Sequence, residues 1–114
     1  IGGLKKLINL QKKNISTALM IDQRVSEGIM SNLFNKEALT TTLPAQLVKK
    51  FNTPIVPIYI KRINNINFKI VINKPILFSK DYSVKDITNE LNHILEKMII
   101  EKPEHWIWSH NRWK

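Results

Sequence analysis

Apolar residues recur at helical spacing toward both ends of the chain and at strand spacing in its middle. Leu4, Leu7 and Ile8 share one helical face, with Lys5, Lys6, Lys12 and Lys13 largely off it. The pattern predicts a helix over residues 3–13, with lysines favourably placed near its C-terminus. Ser16–Ile21 is a short apolar run of strand length that stops at Asp22-Gln23-Arg24. Residues 22–41, which include Gly28, carry no clear period and read as a long loop, a class of segment that is often functional. Pro44 suits the first turn of a helix, and Ala45, Val48 and Phe51 then give it one apolar face up to Asn52. Ile55–Ile60 is a continuous apolar strand, predicted to be buried on both faces, with Pro57 pointing to an edge or a bulge. Asn64-Asn65 signals a turn and Asn67–Ile72 a second strand, so the two predict a hairpin.

Ser83-Val-Lys-Asp86 reads as a capping box with Asp in place of the usual Glu. Ile87, Leu91, Ile94, Leu95, Met98 and Ile99 follow at helical spacing as far as Glu101, and Pro103 ends that helix. The predicted order is helix, strand, long loop, helix, strand, strand, helix and a Trp-rich tail. This is an α/β pattern, a mixed sheet flanked by helices.

At 114 residues the chain suffices for one domain with a modest core. It begins at Ile1 and passes through Gly2-Gly3 straight into a helical pattern. Residues 1–114 are therefore expected to be the C-terminal part of a single domain, completed by strands and catalytic groups from elsewhere. Cysteine is absent, which excludes a disulfide or a thiolate metal site and fits a reducing compartment. The longest apolar run, Thr53–Ile60, is far shorter than the roughly 18–20 residues that span a bilayer. The net charge of +9 favours an anionic partner: nucleic acid, phospholipid head groups or an acidic carrier protein. Charge alone does not choose among these, and the Ile, Asn and Lys bias is also what an AT-rich genome produces.

The three glycines fit neither a G-x-G-x-x-G nor a Walker loop. His93, His105 and His110 include no i, i+4 pair, and no metal site is expected. Asp22-Gln23-Arg24 follows a predicted strand, where ligands of α/β sheets bind, so its carboxylate, amide and guanidinium could orient a polar head group. Equally, Asp22 could cap the loop and Arg24 face solvent. Thr40-Thr41-Thr42-Leu43-Pro44-Ala45 at a helix start suits an anion, or simple N-capping by one threonine. The last thirteen residues, Lys102–Lys114, hold all three tryptophans, two of the three histidines and an arginine. Trp106, Trp108 and Trp113 are expected to close the core, with His110 and Arg112 satisfying local carbonyls; a ligand or lipid-interface role is the alternative.

Taken in order, these pieces resemble the C-terminal half of the bacterial lipid A biosynthesis lauroyl/myristoyl acyltransferases, within the lysophospholipid acyltransferase superfamily. Met20-Ile-Asp-Gln23 stands where that family has a strand ending in Asp-Gln. The Gly28–Phe34 region is similar to its Gly-to-Phe-Phe-Gly segment, Ala38–Ala45 to its Ala-x-Thr-Thr-x-x-Pro-Ala stretch, and Pro54-Ile-Val-Pro57 to its Pro-Val-Val-Pro strand. Pro103-Glu-His-Trp-Ile-Trp-Ser-His-Asn-Arg-Trp-Lys114 resembles its Pro-Glu-Gln-Trp-x-Trp-x-His-x-Arg-Trp-Lys ending. The chain departs at Asn35 and Leu43, where the family has glycine, and at His105, where it has glutamine.

The resemblance implies a partial acyltransferase domain. Its parent would move a fatty acyl chain from acyl carrier protein to a hydroxyl of a lipid A precursor, without metal or cofactor. It would sit peripherally on the cytoplasmic face of the inner membrane, against an anionic lipid surface, and would have no nucleic-acid partner. The family's general base is a histidine followed five positions on by Asp or Glu. Five after His93 is Met98 and five after His105 is His110, so no catalytic residue is assigned here and this piece alone is expected to be inactive. The expected substrate-binding residues are Asp22, Gln23 and Arg24, with Arg112 as a phosphate contact. The competing readings are a basic nucleic-acid-binding module and an acyltransferase acting on another glycolipid or phospholipid.

Overall fold

The computed structural model describes residues 2–114. Among the described residues, three helices and two small antiparallel hairpins make a mixed α/β domain. Helix α1 covers Gly2–Lys12 and α2 covers Leu43–Phe51. Asn52, at φ 51°, closes α2 in the left-handed conformation and donates its N–H to the Val48 carbonyl at 2.7 Å. Helix α3 covers Val84–Glu101 and starts at the predicted capping box: Asp86 N–H donates to Ser83 Oγ at 3.1 Å, and Ser83 N–H donates to Asp86 Oδ2 at 2.9 Å. A short 3₁₀ turn at Pro103–His105 leads into the tail.

The core is small. Ala45 and Val48 of α2 meet Ile87 and Leu91 of α3, with Ile21, Ile55, Phe78, Val84 and Ile94 packed around them. Ile21 thereby ties the segment before Asp22 to the core.

The loop expected over residues 22–41 instead contains a hairpin, β1 (Ile29–Leu33) paired with β2 (Lys36–Thr40). Leu33 pairs with Lys36, so only Phe34 and Asn35 make the turn, both at positive φ (54° and 59°). A two-residue turn of this kind matches strand twist, and asparagine tolerates it well. Asn35 thus holds the left-handed backbone where the resembled family has glycine. The positions the hairpin turns inward are Ser31, Leu33, Ala38 and Thr40, a mixture that hides the alternation from a hydrophobicity reading. Gly28 is needed for space: a Cβ there would lie 2.1 Å from the Thr40 carbonyl oxygen.

The strand expected over Ser16–Ile21 is a second correction. No segment among the described residues pairs with it, and a strand exists through its ladder, so residues 15–21 run as irregular backbone.

The second hairpin is β3 (Ile58–Arg62) with β4 (Phe68–Ile72), its turn falling at Asn64-Asn65 as predicted. The strand starts later than expected, just after Pro57, and Ile55 keeps a single bridge to Ile76. Burial on both faces does not hold. Tyr59 and Lys61 turn toward Glu101 of α3, whereas Ile58, Ile60, Phe68, Ile70 and Ile72 form an exposed apolar face.

Candidate functional site

The tail crosses back over β1 and β2, and the side chain that seats it is Arg112. Its residue is 0% exposed. Nη1 donates to the Leu39 carbonyl at 2.5 Å and Nη2 to Thr40 Oγ1 at 2.9 Å. Trp113 Nε1 donates to the Leu33 carbonyl at 3.0 Å, so consecutive tail residues grip both strands.

Asn92, also 0% exposed, joins the same network from α3. Its Nδ2 lies 2.9 Å from Ser31 Oγ, 3.1 Å from the Asn32 carbonyl oxygen and 3.2 Å from Thr40 Oγ1. Ser31 Oγ donates on to Asn89 Oδ1 at 2.8 Å, and Thr40 Oγ1 to the Ala38 carbonyl at 2.9 Å. Arg112 Nε and Asn92 Oδ1 are buried without a hydrogen-bond partner among the described residues.

The expected site residues divide around this network. Burial pushes the Arg112 guanidinium below the ordinary arginine range, and the charge of Asp22 draws it partly back. Arg112 therefore faces the field of Asp22, although no ion pair within 4.0 Å joins it to a carboxylate among the described residues. Asp22 is half-buried; Gln23 and Arg24 are exposed. The backbone N–H of Arg24 donates to His110 Nε2 at 2.9 Å. The tail thus touches the Asp22–Arg24 segment directly through His110 and electrostatically through Arg112. The segment sits at the end of irregular backbone, not of a strand. Arg112, expected at a phosphate, makes one hydrogen bond from each terminal nitrogen to a protein acceptor.

The tryptophans share the closing role unequally. Trp106 and Trp113 are half-buried, but Trp108 is 52% exposed. Trp106 stacks edge-on to Trp108 (4.7 Å between centroids) and Trp113 (5.8 Å), and Phe34 of the β1–β2 turn lies 6.4 Å from Trp106. Trp108 Nε1 donates to the Pro103 carbonyl at 2.7 Å, which folds the tail on itself. The Phe34 N–H donates to Glu96 Oε1 at 2.5 Å, tying the turn to α3.

Other expected sites carry local chemistry. At the α2 N-terminus, Thr42 Oγ1 accepts from Gln46 Nε2 at 2.8 Å and Thr41 Oγ1 from the Leu43 N–H at 3.3 Å. His93 faces Glu96 at 3.4 Å, and His105 faces Glu104 at 3.9 Å. No group of three or more His, Asp or Glu side chains among the described residues could hold a metal ion. No helix of the described residues is long and apolar enough to cross a membrane. Asn92, Ser31 and the His110–Arg24 bond escaped sequence reasoning. Asn92 lies one residue past Leu91 on a helix read for its apolar stripe, where a buried amide leaves no periodic trace.

Compared with known proteins, the chain matches the family described as bacterial lipid A biosynthesis acyltransferase over residues 1–114. No curated protein matches it.

Proposed function

Since the chain belongs to the bacterial lipid A biosynthesis acyltransferase family, we propose that its protein transfers a fatty acyl chain from acyl carrier protein to a hydroxyl of a lipid A precursor. The observation that carries this proposal is the family match along the whole chain. Family membership also favours a transferase over the nucleic-acid-binding module that charge alone allowed.

The chemistry fits the residues. Acyl carrier proteins are acidic, lipid A precursors bear phosphates and the cytoplasmic leaflet is anionic, so a domain of net charge +9 is attracted to all three. This supports a peripheral position on the cytoplasmic face of the inner membrane. Asp22, Gln23 and Arg24 form part of the wall that orients the acceptor, on a segment anchored by Ile21 in the core and by His110 in the tail. Arg112 adds its buried positive charge to the field at Asp22. A general base is needed to take the proton of the acceptor hydroxyl as it attacks the thioester carbonyl. Neither His93 nor His105 has a carboxylate five positions on, and we assign the base to a His-x-x-x-x-Asp/Glu pair outside residues 1–114.

The test is transfer by the full-length enzyme from acylated carrier protein to a lipid A precursor, with another glycolipid and a phospholipid as competing acceptors. Asp22→Asn should lower transfer on the order of tenfold or more, about 1.4 kcal/mol of barrier, at unchanged melting temperature. Wild-type activity in that variant removes Asp22 from the site. Transfer to the phospholipid but not to the lipid A precursor overturns the acceptor assignment.

A further inference from the structure

We infer that His110 is a positioning residue whose imidazole sets the backbone of the Asp22–Arg24 segment from the far end of the chain. Residues 22–28 belong to no helix or strand, so secondary structure does not fix their backbone. On the N-terminal side Ile21 packs on the core. On the other side the Arg24 N–H donates to His110 Nε2 at 2.9 Å, across 86 residues of sequence.

His110 can serve as an anchor because its own turn is held. Its N–H donates to the Ile107 carbonyl at 3.2 Å, and two residues on Arg112 is locked to Leu39 and Thr40. Movement of the tail on β2 is thereby transmitted to Arg24. The bond also specifies chemistry: Nε2 accepts only if it carries no proton, so the ring is the neutral Nδ1–H tautomer. Any other side chain at 110 must present an acceptor at the same reach. Glutamine does so, since its Oε1 lies about as far along the side chain as Nε2; alanine does not.

The consequence for transfer rests on the proposed role of residues 22–24, and the experiment separates the two. In ¹⁵N-labelled full-length protein, His110 should show an unprotonated Nε2, and the Arg24 amide should be protected from hydrogen exchange. His110→Ala should speed exchange of the Arg24 amide at least tenfold while the β1–β2 ladder amides stay protected. His110→Gln should restore the protection. In kinetics, His110→Ala should impair transfer and His110→Gln should recover it. Equal Arg24 exchange in all three proteins, or an Nε2-protonated ring in the wild type, overturns the positioning role. Released Arg24 exchange with unchanged transfer overturns the role of residues 22–24 in the reaction and leaves the contact standing.

Discussion

Arg112 Nη2 donates to Thr40 Oγ1 at 2.9 Å, joining residues 72 apart and fastening the tail to β2. The same hydroxyl receives Asn92 Nδ2 at 3.2 Å and donates to the Ala38 carbonyl at 2.9 Å. Its one donor and two acceptor sites are all used. Thr40→Val keeps the shape and strips the hydroxyl, leaving Arg112 Nη2 buried without its acceptor, whereas Asn92 Nδ2 keeps Ser31 Oγ and the Asn32 carbonyl for its two N–H groups. The expected loss is about 1–3 kcal/mol, read as a lower urea midpoint at constant slope. A midpoint equal to the wild type would mean that the network contributes nothing net.

Gly28 tests how tightly the hairpin entrance is packed. A Cβ at that position would sit 2.1 Å from the Thr40 carbonyl oxygen and 2.7 Å from its carbon, both backbone atoms. Gly28→Ala should therefore force the hairpin apart and cost roughly 1–3 kcal/mol, as other overpacked sites do. Calorimetry shows the result as a lower melting temperature. A rise, as expected when glycine is merely flexible, would contradict the close approach.

The tryptophans should differ. Trp106 touches Phe34, Trp108 and Trp113, whereas Trp108 is half in water. Trp106→Ala should cost up to about 3 kcal/mol and Trp108→Ala roughly half as much. Iodide should quench the emission lost in Trp108→Ala more than that lost in Trp106→Ala. The opposite order of quenching would reverse the assignment of the inner ring.

The start of α3 carries a pH signature. The Ser83 hydroxyl and then the Ser83 N–H hold the Asp86 carboxyl below the ordinary aspartate range. A folded-state pKa below the unfolded one gives stability that is complete above the unfolded value, about 3.9, and fades as pH falls through the lower folded value. Asp86→Asn should flatten that part of the stability–pH curve. An unchanged slope below pH 4 would exclude the capping box as its source.

Parts of the fold written in side-chain period were legible. Helices α1, α2 and α3, the capping box and the β3–β4 hairpin announce themselves through apolar spacing and turn residues, because each owes its form to local geometry. The β1–β2 hairpin does not. Two of its inward positions are Ser31 and Thr40, stable there only because Asn92 and Arg112 come to them from distant segments. The apparent strand at residues 16–21 fails for the converse reason: an apolar run becomes a strand only when another backbone pairs with it.

The amino-acid order by itself determined the helices, the second hairpin, the positive charge and the Asp-Gln and Trp-x-Trp-x-His-x-Arg-Trp-Lys segments on which the family resemblance rests, since these are properties of neighbours along the chain. Tertiary structure alone decided that Arg112 is a buried pin, that Trp108 lies half in water and that His110 holds Arg24. Burial and hydrogen-bond partnership depend on which remote groups arrive at the same place, and no local spacing encodes that.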